Sequence, residues 1–155
     1  LEPLIYAAAM DGPPSGPEAE ADARPSYTGT TVRHYTVGAP IGRGGTGVVY
    51  RGRDTRLQRE VALKFLSATH VPSAESRTRL EREARAVSSL DDPHICALHA
   101  IEETEQGVLC LVMAFCAGGT LRERLRSGAL DVTSALQIGR DLAAGLSSAH
   151  QRRIV

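Results

Sequence analysis

Hydrophobic and polar positions divide the chain into stretches of different character, and the first long stretch is polar. Residues 11–26 contain no Val, Ile, Leu, Met or aromatic residue and hold four of the eight prolines. Such a stretch cannot bury enough apolar surface to offset the entropy that it would lose on ordering. We therefore predict a flexible linker there, and we place residues 1–33 outside the folded domain.

From residue 35 the pattern changes to short runs of β-branched and apolar residues, separated by glycine or by polar turns. This pattern is typical of antiparallel strands. The predicted strands are residues 35–41, 48–53, 60–66, 96–102 and 108–115. The last run is apolar at every position, so both faces of that strand are apolar. We therefore expect it to lie inside the sheet.

Three segments show the spacing of helices. Apolar residues recur at intervals of three and four over residues 75–90, which predicts an amphipathic helix. Thr120 and Glu123 form a capping-box pattern, which predicts a short helix after them. A last helix is predicted over residues 134–150. The order of strands and helices lacks the strict alternation of a doubly wound parallel sheet and indicates an α+β fold.

Composition excludes several classes of function. The 18 Lys and Arg residues balance the 18 Asp and Glu residues, so the basic excess that nucleic-acid binding needs is absent, and no nucleic-acid partner is expected. The longest apolar run, residues 108–117, is too short to cross a bilayer. Cys96, Cys110 and Cys116 form no C-x-x-C pair, which favours buried apolar thiols over a zinc site or a disulfide framework. We expect a cytoplasmic location, with any membrane anchor in another part of a longer protein.

A glycine-rich segment, residues 42–47, has the pattern G-x-G-x-x-G. Without side chains, its backbone N–H groups can approach phosphate oxygens closely. A dinucleotide site, as in a nicotinamide oxidoreductase, would require a helix directly after the glycines and an acid about 20 residues further on. The residues that follow are strand-like, so the segment is predicted to be a hairpin between two strands.

Lys64 is the only lysine in the chain, since the other 17 basic residues are Arg. A position that keeps Lys indicates a need for a compact ammonium group, although a strand lysine that faces water is the ordinary alternative. Glu83 lies three residues after Leu80 and four before Val87, on the apolar stripe of its predicted helix. A carboxylate there needs a cationic partner. The candidates are Arg79, in an exposed pair, and Lys64, across the helix–sheet interface.

Five segments, in order, resemble the motifs of a protein kinase domain of the bacterial, eukaryotic-like serine/threonine type over about residues 35–155. They are G-x-G-x-x-G-x-V at 42–49, V-A-L-K at 61–64, R-E-A at 82–84, D-P-H-I at 92–95 and the hinge-like L-V-M-A-F-C-A-G-G-T-L at 111–121. Each is a weak signal alone, whereas all five at family spacing are strong. The resemblance implies that residues 34–116 form a kinase N-lobe with its hinge, a five-stranded antiparallel sheet plus one helix. The first C-lobe helices would follow at 117–155.

The resemblance also implies an ATP site. Its nucleotide-binding residues would be Ile41, Gly42, Arg43, Gly44, Gly45, Thr46, Gly47, Val49, Ala62, Lys64, Met113, Ala114 and Cys116. Lys64 would hold the α- and β-phosphates while Glu83 orients it, and these two are the implied catalytic residues. Ala114 and Cys116 would bind the adenine edge through backbone atoms, with Met113 controlling access to the pocket behind.

The implied activity is transfer of the γ-phosphoryl group of ATP to Ser or Thr of a protein substrate that the sequence does not identify. The alternative is a pseudokinase module that binds nucleotide or a partner without catalysis. In the family, H-R-D-L-x-x-x-N and D-F-G would follow Val155. We therefore expect the Mg²⁺ ligands and the catalytic base in a downstream part of a longer chain, and the 155 residues alone to be inactive.

Overall fold

A computed structural model describes residues 26–67, 73–88, 90–152 and 154. These residues form an antiparallel sheet and three helices. The strands are β1 (Thr31–Val32), β2 (Tyr35–Gly44), β3 (Gly47–Asp54), β4 (Arg59–Leu66), β5 (Leu98–Glu103) and β6 (Leu109–Ala114). The helices are α1 (Ala74–Ser88), α2 (Leu121–Arg126) and α3 (Val132–Gln151). The α+β prediction is confirmed, and the described sheet has one strand more than the five predicted.

The strand order in the sheet is β1-β2-β3-β4-β6-β5, and every neighbouring pair is antiparallel. Strand β6 therefore has a partner on each side, as its two apolar faces predicted. Its first five residues are all buried. The hinge-like segment follows directly from β6, so the middle of the sheet fixes where that segment begins.

The additional strand β1 lies before the predicted start of the domain at residue 34. Its Val32 pairs with Tyr35 of β2 and is buried. Just upstream, the Tyr27 ring stacks on Phe65 of β4, with 3.9 Å between ring centroids. The boundary at 33/34 thus falls inside a folded segment, because the residues before it pair with β2 and pack an aromatic ring on the sheet. The linker prediction for residues 11–26 lies outside the described residues, apart from Ser26.

Side chains alternate between the two faces of the sheet and form two apolar clusters. The first cluster contains Val48, Tyr50, Leu63, Phe65, Cys110 and Val112, among others. The second contains Val49, Ala62, Leu66, Ala84, Cys96, Leu98, Leu109, Leu111 and Met113. Helix α1 covers the second face through Ala84, with Leu80 and Val87 beside it. The residues implied to bind nucleotide therefore lie on the same face as α1.

The later helices begin where side chains cap them. Thr120 Oγ1 accepts a hydrogen bond from Glu123 N at 3.1 Å, and Glu123 Oε2 accepts one from Thr120 N at 2.7 Å. The predicted capping box is therefore confirmed. Helix α3 begins two residues earlier than predicted, because Asp131 Oδ1 accepts from Ser134 N at 2.9 Å and caps it. No helix among the described residues has the length and apolar character needed to cross a membrane.

Candidate functional site

The glycine-rich segment is a tight hairpin, as predicted. Strands β2 and β3 close on a last pair, Gly44 and Gly47, with Gly45 and Thr46 as the turn. Strand β3 begins at Gly47, whereas a dinucleotide site would need a helix there. The structure therefore does not meet the requirement of the oxidoreductase hypothesis.

The hairpin is held against the end of β4 by a position that only glycine can occupy. Gly47 has a φ of +149°, and a Cβ atom added there would lie 3.0 Å from the Phe65 carbonyl carbon and closer still to its oxygen. Beside it, Ser67 N donates a hydrogen bond to Thr46 O at 3.1 Å. The close approach of two backbones thus fixes the hairpin beside the end of β4, the strand that carries Lys64.

Lys64 lies inside the sheet, between Val49 of β3 and Leu111 of β6 in the cross-strand register. The residue is only 7% exposed, and its burial lowers the pKa of the ammonium group below the usual lysine value. Within the described part of the chain, no Asp or Glu forms an ion pair with it. A buried cation without a counter-charge is energetically unfavourable. The site is therefore suited to an anion.

Glu83 does not meet Lys64 in this structure, so the predicted contact between the two charged groups is wrong here. The Glu83 side chain is 64% exposed, and its Oε1 lies 3.6 Å from Arg79 Nε. The buried stripe of α1 is centred on Ala84, which leaves Glu83 at the margin, turned towards water. The local i,i+4 alternative is the one that the structure adopts.

The predicted nucleotide-binding residues differ in exposure. Val49, Ala62 and Met113 are buried in the cluster that faces α1. Ile41 is 49% exposed, at a place where β2 is irregular between Pro40 and Gly42. The hairpin residues before Gly47 are exposed or half-buried. The structure thus brings an apolar wall and a buried ammonium to one face of the sheet, with the glycine hairpin at the end of the adjoining strands.

The hinge-like segment is tied to the chain that precedes β5. Ala114 N donates to Ala97 O at 2.9 Å, and the Cys96 thiol donates to Ala114 O with an S–O distance of 3.5 Å. A carbonyl oxygen has two lone pairs, so Ala114 O can accept one more hydrogen bond. Cys116, two residues further on, is half-buried and packs against the apolar cluster that faces α1.

Two contacts of this region were not predicted from the sequence. The Arg51 guanidinium lies 5.0 Å from the centre of the Phe115 ring, and its Nε donates to Glu60 Oε1 at 2.7 Å. The Cys116 side chain packs against the cluster that contains Cys96, and after burial it is the next cause that raises the pKa of the Cys96 thiol. Both contacts join residues far apart in the chain. Predicting these contacts requires the register of the strands, which no local sequence motif gives.

A separate cavity of about 430 Å³ opens between α1 and β5. None of the predicted site residues lines it. Arg77 of α1 lines this cavity and donates to Glu103 of β5, with 2.9 Å between Nη1 and Oε1. The cavity therefore lies apart from the glycine hairpin.

Comparison with known proteins agrees with this architecture. Residues 35–155 match the protein kinase domain family. Serine/threonine-protein kinase PknE of Mycobacterium bovis is 37% identical over 126 residues, which cover 81% of this chain and 22% of PknE. PknD of Mycobacterium tuberculosis is 37% identical over 131 residues, which cover 84% of this chain and 19% of PknD.

A solved structure shows the same fold. The crystal structure of the Mycobacterium tuberculosis PknI kinase domain matches with a TM-score of 0.69 and 31% identity, over 80% of this chain and 51% of that domain. The chain belongs to the protein kinase family, and its sheet and first helix are the N-lobe of a kinase domain. It spans 19–22% of the length of the two curated relatives described above.

Proposed function

We propose that the protein carrying this chain transfers the γ-phosphoryl group of ATP to Ser or Thr of a protein substrate, and that these residues hold the nucleotide. One observation carries the proposal: a buried lysine without a carboxylate partner in the described structure lies in the strand next to a glycine hairpin. A phosphate would supply the counter-charge that this ammonium lacks.

The remaining groups suit the other parts of ATP. The apolar side chains of Val49, Ala62 and Met113 offer a surface for the adenine ring. Ala114 O and Cys116 N would bind the polar edge of adenine through the backbone. Residues 42–47 would cover the phosphates with backbone N–H groups. When bound, Mg²⁺ neutralises charge on the phosphates, and we propose that its ligands lie in segments after Val155.

Glu83 enters this proposal through a movement of α1. The helix packs on β5, and among the described residues the Glu83 carboxylate has one ion-pair partner, the exposed Arg79. Such a pair contributes about 0.3–0.5 kcal/mol, so little opposes its exchange for another partner. We propose that a shift of α1 towards β4 brings the Glu83 carboxylate to the Lys64 ammonium and fixes it for the phosphates.

Replacing Glu83 with Gln is expected to lower activity strongly and to leave stability almost unchanged. The free energy of unfolding should change by less than about 0.5 kcal/mol, because the side chain is exposed. Phosphoryl transfer by the whole protein should fall on the order of 10²-fold, because a misplaced Lys64 positions the phosphates poorly. Chemical unfolding and steady-state kinetics measure the two effects.

The matched control is Glu81→Gln on the same helix, which removes the corresponding i,i+4 pair with Arg77. This control should retain activity. Equal activity in the two variants would contradict the proposed role of Glu83.

A second prediction concerns the 155 residues by themselves. They contain neither H-R-D nor D-F-G, and phosphoryl transfer needs the base and metal ligands that these motifs supply. Incubated with γ-labelled ATP and a generic protein acceptor, they should transfer no label, whereas a chain continued through the activation segment should. Binding without transfer by the continued chain would support the pseudokinase alternative. If the 155 residues did transfer label, and if Lys64→Met abolished that transfer, the proposal that the base and the metal ligands lie outside these residues would be contradicted.

A further inference from the structure

Cys96 and Cys116 lie near each other, where the chain that leaves β6 passes the chain that enters β5. Cys96 is buried two residues before β5, and Cys116 is half-buried two residues after β6. The bond from Ala114 N to Ala97 O, 2.9 Å long, places these segments side by side. Cys96 belongs to the apolar cluster that faces α1, Cys116 packs against the same cluster, and the Cys96 thiol donates to Ala114 O with an S–O distance of 3.5 Å. After burial, the neighbouring Cys116 thiol is the next cause that raises the pKa of the Cys96 thiol.

We propose that Cys96 and Cys116 form a modification site, at which a peroxide converts the two thiols into a disulfide across the base of the hinge. The third cysteine is excluded from this site. Cys110 is 0% exposed and lies in the cluster on the opposite face of the sheet.

The reaction takes one peroxide molecule and two steps. The Cys116 thiol loses its proton and the thiolate attacks hydrogen peroxide, so that an S–O bond forms and the O–O bond breaks; the hydroxide that leaves takes up the proton and becomes water. The Cys96 sulfur then attacks the Cys116 sulfenic sulfur, so that the S–S bond forms and the S–O bond breaks; the hydroxide that leaves takes the proton of the Cys96 thiol and becomes a second water. In sum, two thiols lose two electrons and two protons, and the peroxide oxygens are reduced to two waters.

Exposure fixes the order of the two steps. Cys116 is half-buried, whereas Cys96 is buried. Burial also raises the pKa of the Cys96 thiol to about 12, which keeps it protonated until it meets the sulfenic acid. Cys116 is therefore the residue that reacts with the oxidant, and Cys96 is the residue that resolves it.

The disulfide would change the hinge. Ala114 O accepts a hydrogen bond from the Cys96 thiol, and a disulfide sulfur has no proton to donate. The S–S bond, about 2.05 Å long, would also pull Cys116 closer than a thiol contact allows. Residues 114–116 carry the adenine contacts under the proposed function, so this consequence rests on that function. Formation of the disulfide does not.

Peptide mapping tests the bond directly in the whole protein. After treatment with hydrogen peroxide and alkylation of free thiols, trypsin and a glutamate-specific protease place Cys96 on residues 86–102 and the other two cysteines on 106–122. We expect these two peptides to be linked. The link should persist in Cys110→Ser and disappear in Cys96→Ser and in Cys116→Ser. Unlinked peptides, or a link that requires Cys110, would overturn the proposal.

Binding of a fluorescent ATP analogue tests the consequence. Oxidation should weaken binding on the order of tenfold, the equivalent of about one hydrogen bond, and dithiothreitol should restore it. Cys116→Ser should bind equally well with and without peroxide, as should Cys96→Ser if it folds. A linked protein that binds as well as the reduced one would overturn the effect on the hinge. Reduced protein that binds no nucleotide, yet forms the link, would contradict the proposed function and leave the disulfide standing.

Discussion

Replacing Gly47 with Ala is expected to lower the free energy of unfolding by about 3 kcal/mol or more and to abolish nucleotide binding. A Cβ atom at this position would collide with the Phe65 carbonyl, which is backbone and cannot rotate away. The φ of +149° adds strain for any residue with a side chain. The hairpin would have to leave β4, and the backbone N–H groups proposed to bind phosphate would leave with it.

The neighbouring variant Gly45→Ala provides the control. A Cβ atom at Gly45 meets nothing within 4 Å, and its φ is not in the left-handed region. Its stability should therefore stay within about 1 kcal/mol of the original protein. Chemical unfolding of both variants, followed by titration with a fluorescent ATP analogue, measures the difference. If Gly47→Ala were as stable as Gly45→Ala, the close approach to Phe65 would be wrong.

The contrast between these glycines shows what the sequence could predict. The motif predicted a hairpin because glycines were followed by strand-like residues, and β2 and β3 form that hairpin. The sequence could not indicate that Gly47 is the position under steric constraint. That constraint comes from the pairing of Gly47 with Leu66, and such pairing depends on long-range register.

Glu83 shows a second limit of prediction from the sequence. Helical spacing identified the stripe that includes Leu80, Ala84 and Val87, and these residues do pack on the sheet. A period of 3.6 residues places Glu83 within about 60° of that stripe but does not locate the centre of the stripe. The centre is Ala84, so a residue one position earlier projects to the side. Periodicity predicted the element correctly and the orientation of one side chain wrongly.

The early part of the sheet was missed for a different reason. Strand β1 has two residues and no alternation to detect. It is held by pairing with β2 and by the ring of Tyr27 on Phe65, contacts that span up to 38 positions. Composition located the polar stretch in the sequence but could not show which of the following residues join the sheet.

Replacing Lys64 with Met is expected to have the largest effect on activity and an opposite effect on stability. Transfer of the γ-phosphoryl group by the whole protein should fall by at least about 10²–10³-fold, because a positioned charge at the phosphates is lost. The protein should become more stable, since methionine fills the same slim volume without burying a charge. Kinetics and thermal unfolding measure the two effects. The control Arg53→Met, at an exposed cation on β3, should keep its activity.

The pH dependence of the stability gain identifies its cause. Burial lowers the pKa of Lys64 below 10.5, so the unfolded chain binds the proton more tightly than the folded chain does. The penalty for burying the charge is therefore complete at pH values below the folded pKa, and it disappears as the pH rises from there through 10.5. The advantage of Lys64→Met in unfolding experiments should accordingly be constant near neutral pH and shrink in alkaline solution. An advantage that does not change with pH would indicate packing. A loss of stability at neutral pH would show that Lys64 has a counter-charge in the folded protein, and the argument for a phosphate at this site would fail with it.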